Sequence, residues 1–342
     1  MAEESPHKDV PMASWTVSIA SSWPRLRICI FERLQLLLFT AKFLTTTPTA
    51  LHMRTHRGHN RTNTSQRTFL YSCMGAHGYW GMPTADMDFC EPNYETSQYV
   101  AEFWNTVTSV PIILVGLMGI ILCRKQDLGR EQVLAYFMIS VIGLGSFLFH
   151  ATLMRTGQIL DEIPMLWATS SLLYTIYHHN HDRARRRQQG GTLRTSGRLK
   201  LVGAGLLVYA LAATALYFTT GFLGFIIAYG VSVLVTFVLA VASFFSASSG
   251  VSDQARKMLL CAGAVYGGGF VLLWLPGELL CHRIALIKRL PLHAFFHLTS
   301  AAGPHLGLTA FALARFDCEQ PSAPSSAMFA GLPAIERGRK AA

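Results

Sequence analysis

Charge is what this sequence has least of. Only 14% of its 342 residues are Asp, Glu, Lys or Arg, while 51% are hydrophobic; ordinary soluble domains are roughly a quarter charged. So few charges cannot cover a water-facing surface, which excludes a soluble globular enzyme and leaves lipid as the main solvent. Polar interruptions are scarce as well. A hydrocarbon core about 30 Å thick takes roughly 20 apolar residues at about 1.5 Å each. Six runs meet or approach that length: 103–122, 133–153, 201–218, 222–247, 258–276 and 291–314. A seventh, 163–177, is short, but extends back through Gln158 to Glu162 if its two carboxylates face protein or water. The sequence therefore predicts an all-α membrane protein, a seven-transmembrane-helix bundle forming one domain over 74–315. Internal repeats, common in transporters, are missing.

A formal net charge of +10 could point to nucleic acid, but its placement points to a membrane. Arg183, Arg185, Arg186, Arg187, Arg194, Arg198 and Lys200 lie between spans three and four. Arg124, Lys125 and Arg130 follow span one, and Arg256 and Lys257 follow span five. The opposite loops hold only Arg155, then Arg283, Lys288 and Arg289. The richer set marks the cytosolic side, so the N-terminus is expected in a lumen and the C-terminus in the cytosol. No nucleic-acid partner is expected, and nothing implies an obligate protein partner. Residues 1–73 read as an extension, either disordered or targeting, whose best apolar stretch is broken by Arg33 and Lys42. Met74 would be a natural alternative start, and Asn60 and Asn63 open glycosylation sequons. Residues 316–342 read as a disordered cytosolic tail.

Ionisable groups inside a bilayer cost roughly 2.5–3.5 kcal/mol each on insertion scales and mark function by default. The few present converge. Ser146 and His150 close span two, Asp161 opens span three, and His293 and His297 open span seven. With the orientation set by the loop charges, all five lie at one depth near the luminal face. Residues four apart share a helix face, so His293 and His297 can chelate one ion, with His150 as a third ligand. Three histidines with an open fourth position is the arrangement of catalytic zinc, which adds an intramembrane zinc site to the predicted bundle. The pair is not HExxH, since Ala294 stands where the glutamate would be. A hydrolase would need another base. Asp161 is the candidate, and Ser146 could hold a catalytic water or a developing oxyanion. His305 reads as structural, and His178, His179 and His181, among arginines at the cytosolic boundary, as solvated.

A second constellation precedes span one: Asp86, Asp88, Glu91, Asn93, Glu95 and Glu102, with no Lys or Arg beside them. Unneutralised carboxylates repel, and calcium takes about 6–8 oxygens, backbone carbonyls included. The spacing is not that of an EF-hand, so a solvated acidic loop and a calcium site fit it equally. Seven cysteines leave one odd. Cys90 and Cys281 both fall on the luminal side, where a disulfide would persist, and could pair; Cys123 and Cys261 read as free.

The motifs resemble those of the alkaline ceramidase family. They run from Gly78-Tyr-Trp-Gly81 through Asp88-Phe-Cys-Glu-Pro-Asn93 and Ala101-Glu-Phe-Trp-Asn-Thr106. Gly145-Ser-Phe-Leu-Phe-His150, Gln158-Ile-Leu-Asp-Glu-Ile-Pro-Met165 and His293-Ala-Phe-Phe-His297 follow. Each motif is weak alone; in this order over 78–315 they are specific. The resemblance implies a seven-helix amidase that cuts ceramide into a sphingoid base and a fatty acid. By it, His150, His293 and His297 bind zinc, and Ser146 and Asp161 contact the catalytic water. Asp88, Glu91, Asn93, Glu102 and the Phe89 carbonyl match the family's calcium ligands, with the aromatic ring at 89 playing no part. A Cys90–Cys281 disulfide and a multi-pass location in the endoplasmic reticulum or Golgi membrane are implied too. One departure stands out. Where such enzymes typically read Trp-Asn-x-Asp before the cysteine, this chain has Trp274-Leu-Pro-Gly-Glu278, which bears on local packing and not on a metal ligand.

A receptor of the adiponectin/progestin type, also seven-helical with three zinc-binding histidines, is the rival reading. A glycosylation-reporter map separates the two: a luminal N-terminus is expected for the hydrolase and a cytosolic one for the receptor.

Overall fold

The structure, a computed structural model, describes residues 78–187, 197–246, 249–281, 283–319, 325–329 and 332–336. The expectations for 1–73, including Asn60 and Asn63 and a start at Met74, lie outside the described residues. Among these, the long helices are α1 (Phe103–Gln126), α2 (Arg130–Thr152), α3 (Arg155–Arg187), α4 (Gly197–Thr220) and α5 (Phe222–Phe245). Then come α6 (Asp253–Gly269), a π turn (Phe270–Trp274), α7 (Leu275–Leu280), the short α8 (Ala285–Lys288) and α9 (Leu292–Glu319). A hairpin of β1 (Ser325–Phe329) and β2 (Leu332–Glu336), antiparallel with Ser325 opposite Glu336, falls in the stretch expected as a disordered tail.

Five helices are long and apolar enough to cross a membrane: α1, α2, α4, α5 and the continuous Asp253–Leu280 rod. This is the pattern of a multi-pass membrane protein. The helices α3 and α9 are long but more polar, because they carry Asp161, Glu162, His293 and His297. Length and patterning explain why these segments are helices: with no water to satisfy backbone amides, a chain in lipid must pair them internally. Leu201, Val208 and Leu234 on α4 and α5 stay exposed within the protein, as lipid-facing residues should.

The bundle is built by pairwise packing, α1 along α2, α2 along α3, and α9 against both α6 and α1. Helix ends are held by specific groups. The Glu91 carboxylate, from the preceding loop, accepts the amides of Trp104 (2.6 Å) and Asn105 (2.9 Å), two of the donors a helix start leaves free. Ser252 caps α6 by accepting from Ala255 N. At the end of α2 the fully buried Leu153 takes a left-handed φ of 51°, costly for a branched side chain. Its carbonyl accepts both Thr84 N and Ala85 N, which pins that turn to the 84–91 loop. The π turn sits immediately before Pro276, whose ring has no amide to continue the ladder and excludes a regular turn. Trp274 stacks there on Phe270 at 5.1 Å, so the Trp274–Glu278 departure coincides with a local irregularity of the helix.

The end of the bundle opposite His150 corrects one expectation. His178 is half-buried between Glu131 (3.7 Å) and Asp182 (3.5 Å), and the His179 ring packs edge-on to Phe311 at 5.3 Å. The aliphatic and aromatic flanks of α5 and α9 reach over these rings, which the run of neighbouring arginines conceals in the sequence. His305 is buried and bonded to the Tyr136 hydroxyl at 3.0 Å.

One contact sets the spacing of α2 and α3. A Cβ on Gly145 would lie 2.0 Å from the Leu160 carbonyl oxygen and 2.6 Å from Asp161 N; only hydrogen fits. Gly145→Ala should therefore lower the melting temperature of the detergent-solubilised protein by an overpacking cost of about 1–3 kcal/mol. Gly205→Ala, inside α4 where a new Cβ meets nothing within 4 Å, should not lower it and should raise it slightly, since alanine favours a helix interior over glycine.

Candidate metal centre

The last turn of α2 and the first turns of α9 bring three imidazoles together. Nitrogens of His150, His293 and His297 lie within 4.8 Å of one another, the one such group of three or more His, Cys, Asp or Glu among the described residues. Ring centroids are 4.7 Å apart for His293–His297, 4.9 Å for His150–His297 and 5.1 Å for His150–His293. His150 and His297 are buried and His293 is half-buried.

Hydrogen bonds on the far side of two of the rings, His150 and His297, fix which nitrogen faces inward. His150 Nδ1 donates to the Glu102 carboxylate, buried like the histidine itself. His297 Nδ1 lies 3.1 Å from the Asn105 carbonyl and 3.0 Å from Thr108 Oγ1. The carbonyl can only accept, so Nδ1 carries the hydrogen and Nε2 keeps its lone pair. Two nitrogens, His150 Nε2 and His293 Nδ1, are buried with no hydrogen-bond partner. A buried unpaired nitrogen costs about 1–3 kcal/mol, and two beside a third lone pair is a donor set suited to a metal cation. Glu102 and the Asn105 carbonyl behind the rings match the second layer that orients metal-binding histidines.

Of the other residues singled out in the sequence, Ser146 lies one turn from His150, and the Asp161 carboxylate is not part of the group that converges. Ser146 is 3% exposed and lies 3.1 Å from Ser109 Oγ. Ser109 also reaches the Asn105 carbonyl at 2.8 Å. Asp161 sits across the Gly145 contact, its backbone amide against the turn that presents Ser146. The Phe89 ring, given no role in the sequence reading, stacks on His293 at 3.7 Å and lies 5.3 Å from His150. It thus forms one wall of the centre.

The acidic loop closes over the same end. Phe89 N donates to Glu102 Oε1 at 2.9 Å, and Asn105 Nδ2 to Glu102 Oε2 at 3.0 Å. Asn93 Nδ2 donates to Asp88 Oδ2 at 3.0 Å, while Asn93 Oδ1 is buried without a partner. Burial pushes the Glu91 carboxyl above the usual carboxylate range, against the pull of the Trp104 and Asn105 amides, with Glu95 adding to the rise. The carboxylates of Asp88, Glu91 and Glu102 do not converge as closely as the histidines do. Cys90 and Cys281 are bonded, Cα atoms 6.1 Å apart, which fastens this loop to the end of α7. Cys123 and Cys261 are free.

Sequence reasoning assigned Glu102 to the loop and missed its bond to His150. It also missed Asn105, Thr108 and Ser109. The signal was present: Glu102, Asn105, Thr106 and Ser109 follow helical spacing within an otherwise apolar run and are all buried, a polar stripe that needs partners inside the protein.

Comparison with known proteins adds an independent observation. Residues 81–335 match the family described as Ceramidase. Over 100 residues the chain is 39% identical to "Alkaline ceramidase 3" of Mus musculus, covering 29% of this chain and 38% of that one. It is 33% identical over 153 residues to "Putative alkaline ceramidase dcd3A" of Dictyostelium discoideum, covering 40% and 53%. It is 41% identical over 91 residues to "Alkaline ceramidase YPC1" of Saccharomyces cerevisiae, covering 27% and 29%. The chain thus spans about half or less of the length of these three relatives.

Metal analysis of the purified protein should find one transition-metal ion per chain, lost on His297→Ala. Glu102→Gln, which weakens the bond orienting His150, should lower metal affinity about 10–100-fold as read by competition with a chelator. Unchanged affinity would show that Glu102 does not serve His150.

Proposed function

This chain belongs to the ceramidase family, and we propose that it is a zinc-dependent amidase that hydrolyses the amide bond of ceramide to a sphingoid base and a free fatty acid. The observation that carries this reading is the cluster of three imidazoles with unpaired buried nitrogens, within the stretch that matches the family. Phytoceramide and dihydroceramide share the same amide. Family membership favours hydrolysis over the receptor reading.

His150, His293 and His297 would hold the zinc, which when bound supplies a Lewis acid for the amide carbonyl and acidifies water. Asp161 acts as the base. It accepts a proton from the attacking water and returns it to the amide nitrogen, which departs as the amine of the sphingoid base while the acyl group leaves as the acid. Ser146 has two possible settings, decided by Ser109. If Ser109 donates to the Asn105 carbonyl, Ser146 donates to Ser109 and offers a lone pair to the water. If Ser109 donates to Ser146, the Ser146 hydroxyl is free to donate to the developing oxyanion. Calcium at Asp88, the Phe89 carbonyl, Glu91, Asn93 and Glu102 would neutralise a loop whose carboxylates are costly to bury. The unpartnered Asn93 Oδ1 and the raised Glu91 support such an ion.

The proposed topology has seven membrane spans, α1 to α5, the α6–α7 rod and α9, with a luminal N-terminus and a cytosolic C-terminus in the endoplasmic reticulum or Golgi membrane. Ceramide enters sideways from the bilayer. The seam between α5 and α6, the loosest contact between consecutive long helices, supports that route. Residues 1–73 would be an extension outside the 74–315 domain, and 316–342 a cytosolic tail.

Fatty-acid release from labelled ceramides by the detergent-purified full chain tests the proposal. Release should disappear in His297→Ala. In Asp161→Ala it should fall by about 10²–10⁴, the usual contribution of a general base, with the metal retained. Substantial turnover in Asp161→Ala would remove it as the base. No release from metal-loaded, folded wild-type protein across the ceramide panel would remove the amidase reading.

A further inference from the structure

Asp161 lies on a helix that would be free to rotate about its axis at its first turn, yet a buried polar chain fixes that turn. Gln158, fully buried, is the junction. Its Oε1 accepts the Asp86 backbone amide at 2.8 Å and Arg155 NH1 at 3.1 Å, and its Nε2 donates to Glu162 Oε1 at 2.9 Å. Arg155 also pairs with the Asp86 carboxylate and lies 5.1 Å over the Tyr217 ring of α4. The first amide of α3, Arg155 N, donates to Thr84 Oγ1 at 2.9 Å. The chain thus starts on the half-exposed Asp86 and ends on Glu162, which is 4% exposed.

Placement gives this chain its meaning. Gln158 and Glu162 lie three residues before and one after Asp161 on the same helix, so the bond between them fixes the helical turn that carries Asp161. The loop that anchors Gln158, 84–86, continues within three residues to Phe89, whose amide bonds Glu102, which in turn bonds His150. One loop therefore reaches a metal-ligand candidate along one arm and the helix of the proposed base along the other. Glu162 Oε2 and the Tyr217 hydroxyl stay buried without a hydrogen-bond partner, and unpaired polar atoms in a hydrophobic bundle are costly, so a simple helix anchor would not call for this chain.

We infer that Gln158 and Glu162 are positioning residues for Asp161, transmitting the setting of the 84–91 loop to the base while Glu102 transmits it to His150. The inference rests on the reading of Asp161 as the base. Misplacement of a reacting group by about 1 Å costs about a hundredfold in rate, and loss of this chain frees the base to move by such amounts.

A charge swap tests it in the full-length protein. Gln158→Glu sets a carboxylate against Glu162 and should lower kcat about ten- to hundredfold with KM unchanged. Adding Glu162→Gln should restore kcat, because a carboxylate at 158 still accepts from Asp86 N and Arg155 and now accepts from the amide at 162. Gln158→Leu should lower kcat like the single swap, and hydrogen–deuterium exchange at the Asp86 amide should speed up. The proposal falls if Gln158→Leu keeps its kcat, if the loss appears in KM, if the double swap stays as slow as the single one, or if Asp86 exchange does not change. Should Gln158→Leu fail to fold, the single and double swaps decide alone. Wild-type protein without ceramide hydrolysis would sink the amidase reading, whereas the exchange readout would still report whether Gln158 holds the loop.

Discussion

The bond between Glu102 and His150 is the constraint on which the rest of this molecule turns. Both groups are fully buried, at the start of one membrane helix and the end of the next. Neither can be left alone there: an unpaired carboxylate in low dielectric would take up a proton, and an unoriented imidazole would point its lone pair anywhere. Paired, each solves the other's problem. The arrangement forces α1 and α2 into register at the same end, as the backbone bonds from Ala101 N and Glu102 N to the Ala151 and His150 carbonyls record. It also leaves the opposite nitrogen of His150 facing the two histidines of α9.

Around that bond the bundle is arranged to let polar atoms meet without exposing them to lipid. The missing side chain at Gly145 lets α3 approach until its backbone touches the turn of Ser146. Gly157, where a Cβ would meet Phe149 at 2.7 Å, works from the other side of the same seam. The acidic loop is capped onto α1 through Glu91 and fastened to α7 through Cys90. Its small apolar core is Phe89, Ala101, Phe149 and Leu153, with Ala85, Met87 and Tyr94 packed against them. Packing and chemistry are therefore not separable at this end. At the opposite end, contacts such as His179 on Phe311 make an ordinary helix interface.

Much of this was legible in the sequence because membranes punish polarity. The run 103–122 falls inside α1 and 201–218 inside α4, while 133–153 passes the end of α2 by one residue. Loop charges alone put His150, Asp161, His293 and His297 at one depth, and the three histidines do converge. What escaped was anything set by rotation about a helix axis or by a loop's path. Spacing groups Glu102 with Asn105, Thr106 and Ser109 as an inward stripe, but cannot show that its partner is His150. Nor can it show that the Phe89 ring lies flat on His293, since a motif match at 89 speaks only for the backbone. His179 was misjudged for a related reason: arginine neighbours along the chain say little about aromatic neighbours across it.

The bond between Cys90 and Cys281 spans 191 residues of sequence. During synthesis, therefore, the first loop and the first two helices are made long before the partner cysteine exists, and His293 and His297 arrive later still. For that interval Glu102 and His150 already have each other, but His150 lacks its two histidine neighbours and the loop lacks its covalent tie. A substitution far downstream, near residue 281, can thus act as a defect of maturation whose damage is felt at the opposite end of the chain.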